Sequence, residues 1–117
     1  MQYICLIYTA PGSGPEYGTP EFDAMMAGYF KVTEDMKTAG VLVAGDALQG
    51  VETATSVRVR AGKTETMDGP FAETKEQLGG YYLIDCKDLD EALGWAAKIP
   101  GSQHGTIEVR PVVTDYT

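Results

Sequence analysis

The sequence has few of the residues that build metal sites, disulfide frameworks and basic surfaces. Its 117 residues include two cysteines and one histidine, and nine Lys or Arg residues stand against 17 Asp or Glu residues. Cys5 and Cys86 form no CxxC motif and lie in predicted strands, so we expect buried free thiols. No HExxH, EF-hand or glycine-rich phosphate motif is present, so we expect no metal site and no cofactor.

The acidic balance and the shortness of the apolar runs argue against two classes of partner. A net charge of −8 repels phosphate backbones and anionic lipids, so we expect neither nucleic-acid nor membrane partners. The longest apolar runs, such as residues 40–45, are far too short to span a bilayer. Residues 1–8 have no basic stretch and no cleavage pattern, so we expect a strand there and a cytoplasmic protein.

Turn residues divide the chain into strands and two helices within one expected domain, residues 1–117. Thr19 and Asp88 are predicted helix N-caps, with Pro20 at the first helical position and Glu91 completing a capping box. Strands are predicted at 2–8, 41–48, 55–60, 81–86 and 104–113, with a short strand ending at Met67. The order β-α-β-β-β-α-β, with the extra strand a short excursion, predicts an α+β fold: a ferredoxin-like split β-α-β sheet with helices on one face.

Apolar residues on both faces of the predicted central strands favour a homodimer. Tyr3, Tyr8 and residues 81–84 leave little room for a polar second face, and a second subunit is the economical cover. Each helix also has an apolar stripe that we expect to face the core. A methionine-rich stripe is typical either of core packing, which is favoured here, or of an adaptable binding surface. The two stripes are Phe22, Met25, Met26, Tyr29, Phe30, Thr33 and Met36, and then Leu89, Ala92, Leu93, Ala96 and Ile99.

Two groups of polar residues are candidates for chemistry. Asp68 precedes Gly69-Pro70, where its carboxylate either caps the turn or is aimed into a cleft in which burial raises its pKa. His104 alternates with apolar residues in the predicted last strand, so it is expected to share a face with Glu108 and Arg110. That face is either an acid–base site or a solvent-facing edge with ion pairs.

The segment 67–81, MDGPFAETKEQLGGY, closely resembles the signature of the DGPF proteins, a branch of the YCII-related family. The likeness extends to residues 3–8, 39–42, 88–92, 104–105 and 108–111, and so covers nearly the whole chain. It implies a dimeric α+β barrel built from ferredoxin-like protomers, a fold shared with muconolactone isomerases and some dehalogenating or ring-modifying enzymes. It also implies a His–Asp pair, which makes Asp68 and His104 the candidate catalytic residues, and a possible link to extracytoplasmic-function sigma factors.

The sequence therefore predicts a small-molecule enzyme or enzyme-like binding protein with a cleft near the dimer interface. Asp68 or His104 would move a proton in isomerisation, elimination or hydrolysis-like chemistry without a cofactor. Arg110 or Arg58 would hold a small anionic ligand, although a solvated strand face is the simpler interpretation of Arg58. The remaining substrate-binding candidates are Phe71, Glu73 and Glu108. The alternative is a non-catalytic ligand-sensing or protein-interaction module serving a sigma factor.

Overall fold

Six strands and two helices form along residues 1–115, the part of the chain that the computed structural model describes. The strands are β1 (Gln2–Thr9), β2 (Leu42–Ala47), β3 (Thr55–Arg60), β4 (Lys63–Asp68), β5 (Gln77–Asp85) and β6 (Gly105–Pro111). The helices are α1 (Pro20–Thr38) and α2 (Leu89–Ala97), and single 3-10 turns form at Val51–Thr53 and Pro100–Gln103. Four strands thus separate the helices: the predicted order counts three, and the short strand predicted to end at Met67 is the fourth.

The main sheet has the strand order β2-β5-β1-β6, and every neighbouring pair is antiparallel. The two central strands come from different halves of the chain, which is the arrangement of a ferredoxin-like split β-α-β fold. Both helices contribute buried side chains to the core on one face of this sheet. The α+β fold expected from the sequence is confirmed.

Both helices begin at the predicted caps. The Thr19 hydroxyl accepts the Phe22 N–H at 3.2 Å, and Pro20 occupies the first turn. The Asp88 carboxylate accepts the Glu91 N–H at 2.9 Å. These bonds satisfy amide groups that have no partner inside a helix, which is why the short polar side chains fix both starting points.

The core differs from the predicted stripes at several positions. Leu89 and Leu93 are 47% and 46% exposed, and Phe30 is 68% exposed, so the expectation that they face the core is wrong. Ala92, Ala96 and Ile99 of the second stripe are buried as predicted. Leu93 follows Ala92 directly, and a step of one residue turns a helical side chain by about 100°, out of the core.

Alternate residues of β1 lie on opposite faces of the main sheet, and the two faces differ in burial. Tyr3, Cys5 and Ile7 are buried beneath the helices. Ile4, Leu6 and Tyr8 lie on the opposite face, which we call the open face, and remain only half-buried. Leu6 there pairs with Glu108 of β6 and with Tyr81 of β5. The open face of the single chain is therefore apolar at its centre and charged along β6.

An insertion between β2 and β5 forms a separate two-stranded hairpin from β3 and β4. Its apolar side chains Val57, Val59 and Met67 are exposed. The radius of gyration of the chain is 16.3 Å, against about 13 Å for a compact domain of this length. The single chain is therefore extended, and part of its apolar surface is left uncovered.

Gly79 is an extra residue in β5 relative to β1. Ile7 pairs with Gly80, whereas the next residue, Tyr8, pairs with Leu78. This β-bulge brings Leu78 to the same face as Tyr8, although Gly80 lies on the helix-covered face with Ile7.

Candidate functional site

A cleft of about 660 Å³ lies between α1 and the helix-covered face of the sheet, and we call it the helix-side cleft. Its walls come from β1, the 10–19 loop, α1, β2, β5 and the turn before β6. Its lining residues include Ile7, Thr9, Gly14, Met25, Met26, Tyr29, Phe30, Thr33, Leu42, Gly80, Tyr82, Gly101 and His104. Most of them are apolar or small, and the hydroxyl and imidazole groups among them are few enough to orient a ligand.

His104 supplies the one imidazole of the sequence to this cleft. It follows the 3-10 turn Pro100–Gln103, and its backbone N–H bonds the Gly101 carbonyl. Its Nε2 atom is buried and has no hydrogen-bond partner within residues 1–115. A buried polar atom without a partner is costly, and such atoms frequently belong to sites that a ligand completes.

The 10–19 loop closes over the imidazole. A side-chain carbon placed on Gly14 would lie 3.1 Å from the ring carbon Cδ2 of His104. Gly14 also has a φ of 77°, which favours glycine because other residues are strained there. Glycine is therefore favoured at position 14 for two reasons: the backbone is left-handed there, and the histidine ring leaves little room for a side chain.

Three hydroxyl groups lie on the α1 and β5 walls of the cleft. The Thr33 hydroxyl is 2.8 Å from the Tyr29 carbonyl, one turn earlier, and also 2.8 Å from the Tyr82 hydroxyl. Burial raises the pKa of Tyr29, and a backbone hydrogen bond from Gly101 opposes this effect. Tyr29 therefore remains a neutral phenol near neutral pH.

Charged residues also contribute to the lining of the cleft. Lys37 pairs with Glu34 at 3.3 Å, and both side chains are more than half exposed. The Asp46 carboxylate accepts the Tyr81 hydroxyl at 2.9 Å on the open face of the sheet, so it is directed away from this cleft. The polar groups set among the apolar walls are therefore mainly neutral hydroxyls and the imidazole.

The signature segment lines a different cleft, of about 490 Å³. Tyr8 and Leu78, which lie on the open face, form one wall, and Pro70, Ala72 and Thr74 contribute from the signature. The signature is also joined to β6, because the Thr106 hydroxyl donates to the Glu76 carboxylate at 3.0 Å. The two clefts lie against opposite faces of the main sheet.

The candidate residues from the sequence do not converge on one site in the single chain. Asp68 ends β4 with an exposed side chain, and Glu73 is exposed in the following loop. Neither residue lines the helix-side cleft with His104. Arg58 pairs with Glu65 at 3.0 Å and, with the 71% exposed Phe71, lines a small pocket of about 240 Å³ on the hairpin.

The structure corrects the predicted face shared by His104, Glu108 and Arg110. β6 begins at Gly105, after the histidine. Glu108 and Arg110 face the open side of the sheet, where they pair at 3.7 Å. His104 lines the helix-side cleft instead, because the two-residue alternation of a strand does not extend into the preceding 3-10 turn.

Both cysteines are buried free thiols, as the sequence predicts. Burial raises the pKa of each thiol to about 11, and the neighbouring thiol adds to the rise at Cys5. A thiol that stays protonated near neutral pH is a poor nucleophile, so neither cysteine has the character of a reactive group. Within residues 1–115, no cluster of three or more His, Cys, Asp or Glu side chains has a metal-binding arrangement.

The sequence interpretation missed the α1 wall of the helix-side cleft. Met25, Met26, Tyr29 and Thr33 belong to the stripe that was expected to pack in the core, and they line the cleft, although Tyr29 also packs against the core. The signal that points to them is the pair of adjacent methionines, since flexible thioether side chains suit an adaptable binding surface. The loop rich in Gly and Pro at residues 9–20 is the second signal.

Comparisons with known proteins agree with this architecture. An uncharacterised protein of Rhizobium meliloti (strain 1021) is 40% identical over 114 residues, which are 96% of this chain and 92% of that protein. The solved structure of 5-chloro-2-hydroxyhydroquinone dehydrochlorinase from Burkholderia phenoliruptrix AC1100, in complex with 2,5-dihydroxybenzoquinone, is 13% identical with a TM-score of 0.57. That likeness covers 97% of this chain and 94% of the other, and it shows a shared fold.

The family comparison covers almost the same length. The YCII-related domain matches residues 1–114, which include both clefts and the signature segment. No helix in the described residues 1–115 is both long and apolar enough to cross a membrane. The match over nearly the whole chain, the homologue at 40% identity and the ferredoxin-like fold lead to one conclusion: the chain belongs to the YCII-related family.

Proposed function

We propose that the protein is a small-molecule enzyme that catalyses elimination or isomerisation by proton transfer, with the helix-side cleft as its site and His104 as its base. The observation that carries the proposal is the buried His104 Nε2, which has no hydrogen-bond partner within residues 1–115 and lies in the cleft wall. Histidine is the side chain best suited to accept a proton near neutral pH. The dehydrochlorinase with the same fold supports elimination as the reaction class.

The chemistry needs only a base and an apolar cleft that limits access of water. His104 Nε2 removes a proton from a substrate carbon, and the two electrons of the broken C–H bond form a double bond. In elimination the leaving group departs from the neighbouring carbon with its bonding pair, and in isomerisation the proton returns to a different atom. A base surrounded by apolar side chains is poorly solvated, which favours its acting on the substrate.

Nitrobenzisoxazole tests the proposal without knowledge of the natural substrate. A base removes its ring proton, the N–O bond breaks, and the coloured phenolate product is followed by absorbance. We expect the protein to accelerate this opening above the buffer rate. His104→Gln should lower the rate by about a hundredfold or more.

Asp68→Asn is the matched control, because it changes the other candidate catalytic residue. Asp68 is exposed and does not line the cleft, so we expect the variant to keep the wild-type rate. A similar loss in both variants would support the His–Asp pair expected from the sequence. No acceleration by the wild-type protein would contradict the enzymatic proposal and favour a ligand-sensing or protein-interaction role.

The proposal includes a homodimer formed through the open face. Ile4, Leu6, Tyr8 and Leu83 lie on this face of the central strands and are only half-buried in the single chain. A second copy that packs its own open face against them would cover the apolar centre of the sheet, in the manner of a dimeric α+β barrel. Pro70, Ala72 and Thr74 of the signature segment share a cleft with Tyr8 on this surface and would contact the partner.

The expected setting is the reducing cytoplasm, with residues 1–117 acting as one domain. The two free thiols support this compartment, since exported proteins tend to pair their cysteines.

A further inference from the structure

The hydroxyl groups of the helix-side cleft have fixed donor and acceptor roles. Thr33 has one hydroxyl proton, and the Tyr29 carbonyl, which is only an acceptor, lies 2.8 Å from its oxygen. The Thr33 proton is therefore used inside α1. The Tyr82 hydroxyl, also 2.8 Å from the Thr33 oxygen, must then donate its own proton to Thr33.

Tyr82 consequently offers the cleft an acceptor and no donor. Its one proton is directed at Thr33, whereas its oxygen retains acceptor capacity toward a ligand. Tyr82 lines the cleft from β5, beside the small residues Gly45 and Gly80. A ligand group at this point gains a hydrogen bond only by donating a proton, as a hydroxyl does.

Tyr29 has the opposite role. Its hydroxyl lies against the Gly101 backbone, since a carbon placed on Gly101 would lie 2.9 Å from the Tyr29 oxygen. Within residues 1–115 no hydrogen bond uses the Tyr29 hydroxyl proton, so the proton remains for a ligand. A carbonyl oxygen, or the oxyanion that develops when a base removes a neighbouring proton, accepts it.

We propose that the helix-side cleft selects neutral compounds carrying both a hydroxyl and a carbonyl group, with Tyr82 accepting from the hydroxyl and Tyr29 donating to the carbonyl. The inference deepens the proposed function and rests on its choice of cleft. Neutrality follows from the lining, in which Lys37 pairs with Glu34 and the Asp46 carboxylate accepts the Tyr81 hydroxyl on the open face. Arg58 and Arg110, the expected anion-holding residues, do not line this cleft.

Binding of phenacyl alcohol and of acetophenone tests the inference, because the two compounds share a ring and a carbonyl and differ by one hydroxyl. Titration calorimetry or ligand-observed NMR gives both dissociation constants without any turnover. We expect phenacyl alcohol to bind the wild-type protein about three- to tenfold more tightly. Tyr82→Phe should bring that ratio close to one, whereas Tyr29→Phe should weaken both compounds and leave the ratio unchanged.

Thr33→Val gives an independent test if Tyr82→Phe fails to fold. Loss of the Thr33 oxygen releases the Tyr82 proton, so acetophenone should gain a donor and bind more tightly than it does to the wild type. Equal binding of the two compounds by the wild-type protein, no binding of either, or a ratio that survives Tyr82→Phe overturns the inference. Measurement in His104→Gln separates the proposals, since selectivity there supports the assigned hydroxyl roles whether or not His104 is the base.

Discussion

Two glycines of the 10–19 loop differ in one respect that isolates the contact on His104. Gly12 and Gly14 both have a φ of 77°, so an alanine at either position meets the same backbone strain. A carbon on Gly12 meets nothing within 4 Å, whereas a carbon on Gly14 meets the imidazole at 3.1 Å. Comparison of the two positions therefore separates the effect of backbone strain from the effect of a steric contact with His104.

We expect Gly12→Ala and Gly14→Ala each to lower the free energy of unfolding by about 1 kcal/mol. Only Gly14→Ala should also shift the NMR signals of the imidazole, which are recognisable without assignment because the sequence has one histidine. Urea melts and proton spectra of the two variants provide the comparison. Equal shifts in both variants would mean that the loop does not rest on His104.

Single residues explain both the success and the failure of the sequence interpretation of the site. The chemical types were available from the sequence, because one histidine and one signature turn stand out in it. Their positions were not available, because His104 belongs to a 3-10 turn and the strand alternation that placed it beside Glu108 starts one residue later. The exposure of Asp68 depends on a hairpin that projects from the main sheet, which no local pattern records.

The N-cap of α1 lies where the 10–19 loop joins the helix, and both of these segments are walls of the helix-side cleft. The Thr19 hydroxyl accepts the Phe22 N–H and donates to the Glu16 carbonyl at 2.7 Å, so it fixes both the first turn of α1 and the end of the preceding loop. The rings of Tyr17 and Phe22 meet edge to face across the same junction, with centroids 5.2 Å apart. The cleft therefore depends on this junction for the position of two of its walls.

Thr19→Ala should lower the free energy of unfolding by about 1 kcal/mol, because it leaves the Phe22 amide without its cap. Thr38→Ala is the matched control at the other end of α1, where alanine is the better helix former and stability should stay equal or rise slightly. Urea denaturation followed by circular dichroism measures both variants. Equal destabilisation of the two would show that capping by Thr19 contributes little.

The boundaries of most elements could be predicted to within one or two residues, because caps and turns are local signals. The side of α1 that a ligand can reach could not, since methionine and tyrosine recur with the same spacing whether they fill a core or line a cavity. In the second helix, Leu89 and Leu93 were included in the predicted stripe because they are large and apolar, but only the smaller Ala92 and Ala96 of that stripe are buried there. The short side chains allow the helix to approach the sheet closely.

The single chain is too flat to bury all of the apolar surface of its main sheet. Its extents are 48 × 47 × 19 Å, with helices on one side of the sheet and the half-buried residues of β1 and β5 on the other. A second copy against the open face would thicken the molecule to four layers. Stability and the oligomeric state would then be linked through protein concentration.

Leu6→Glu should convert the proposed dimer to a monomer. The new carboxylate would lie at the apolar centre of the open face and beside Glu108, its partner across the strands, so burial and repulsion would both oppose association. Ala27→Glu, on an exposed position of α1, is the control with the same charge change and should remain dimeric. Light scattering over a dilution series gives the masses, and a wild-type protein that has the mass of one chain at every concentration excludes the dimer.

The extra residue at Gly79 determines which face of the sheet each side chain of β5 points to. After the bulge, Gly80 shares the helix-covered face with Ile7. Before the bulge the alternation is shifted by one residue, so Leu78 lies on the open face with Tyr8. A regular ladder that retained Gly79 opposite Tyr8 would pair Leu78 with Thr9 and turn its isobutyl group toward the helix-covered face. One glycine with no side chain of its own thus keeps the signature segment in phase with one side of the sheet and the cleft clear on the other.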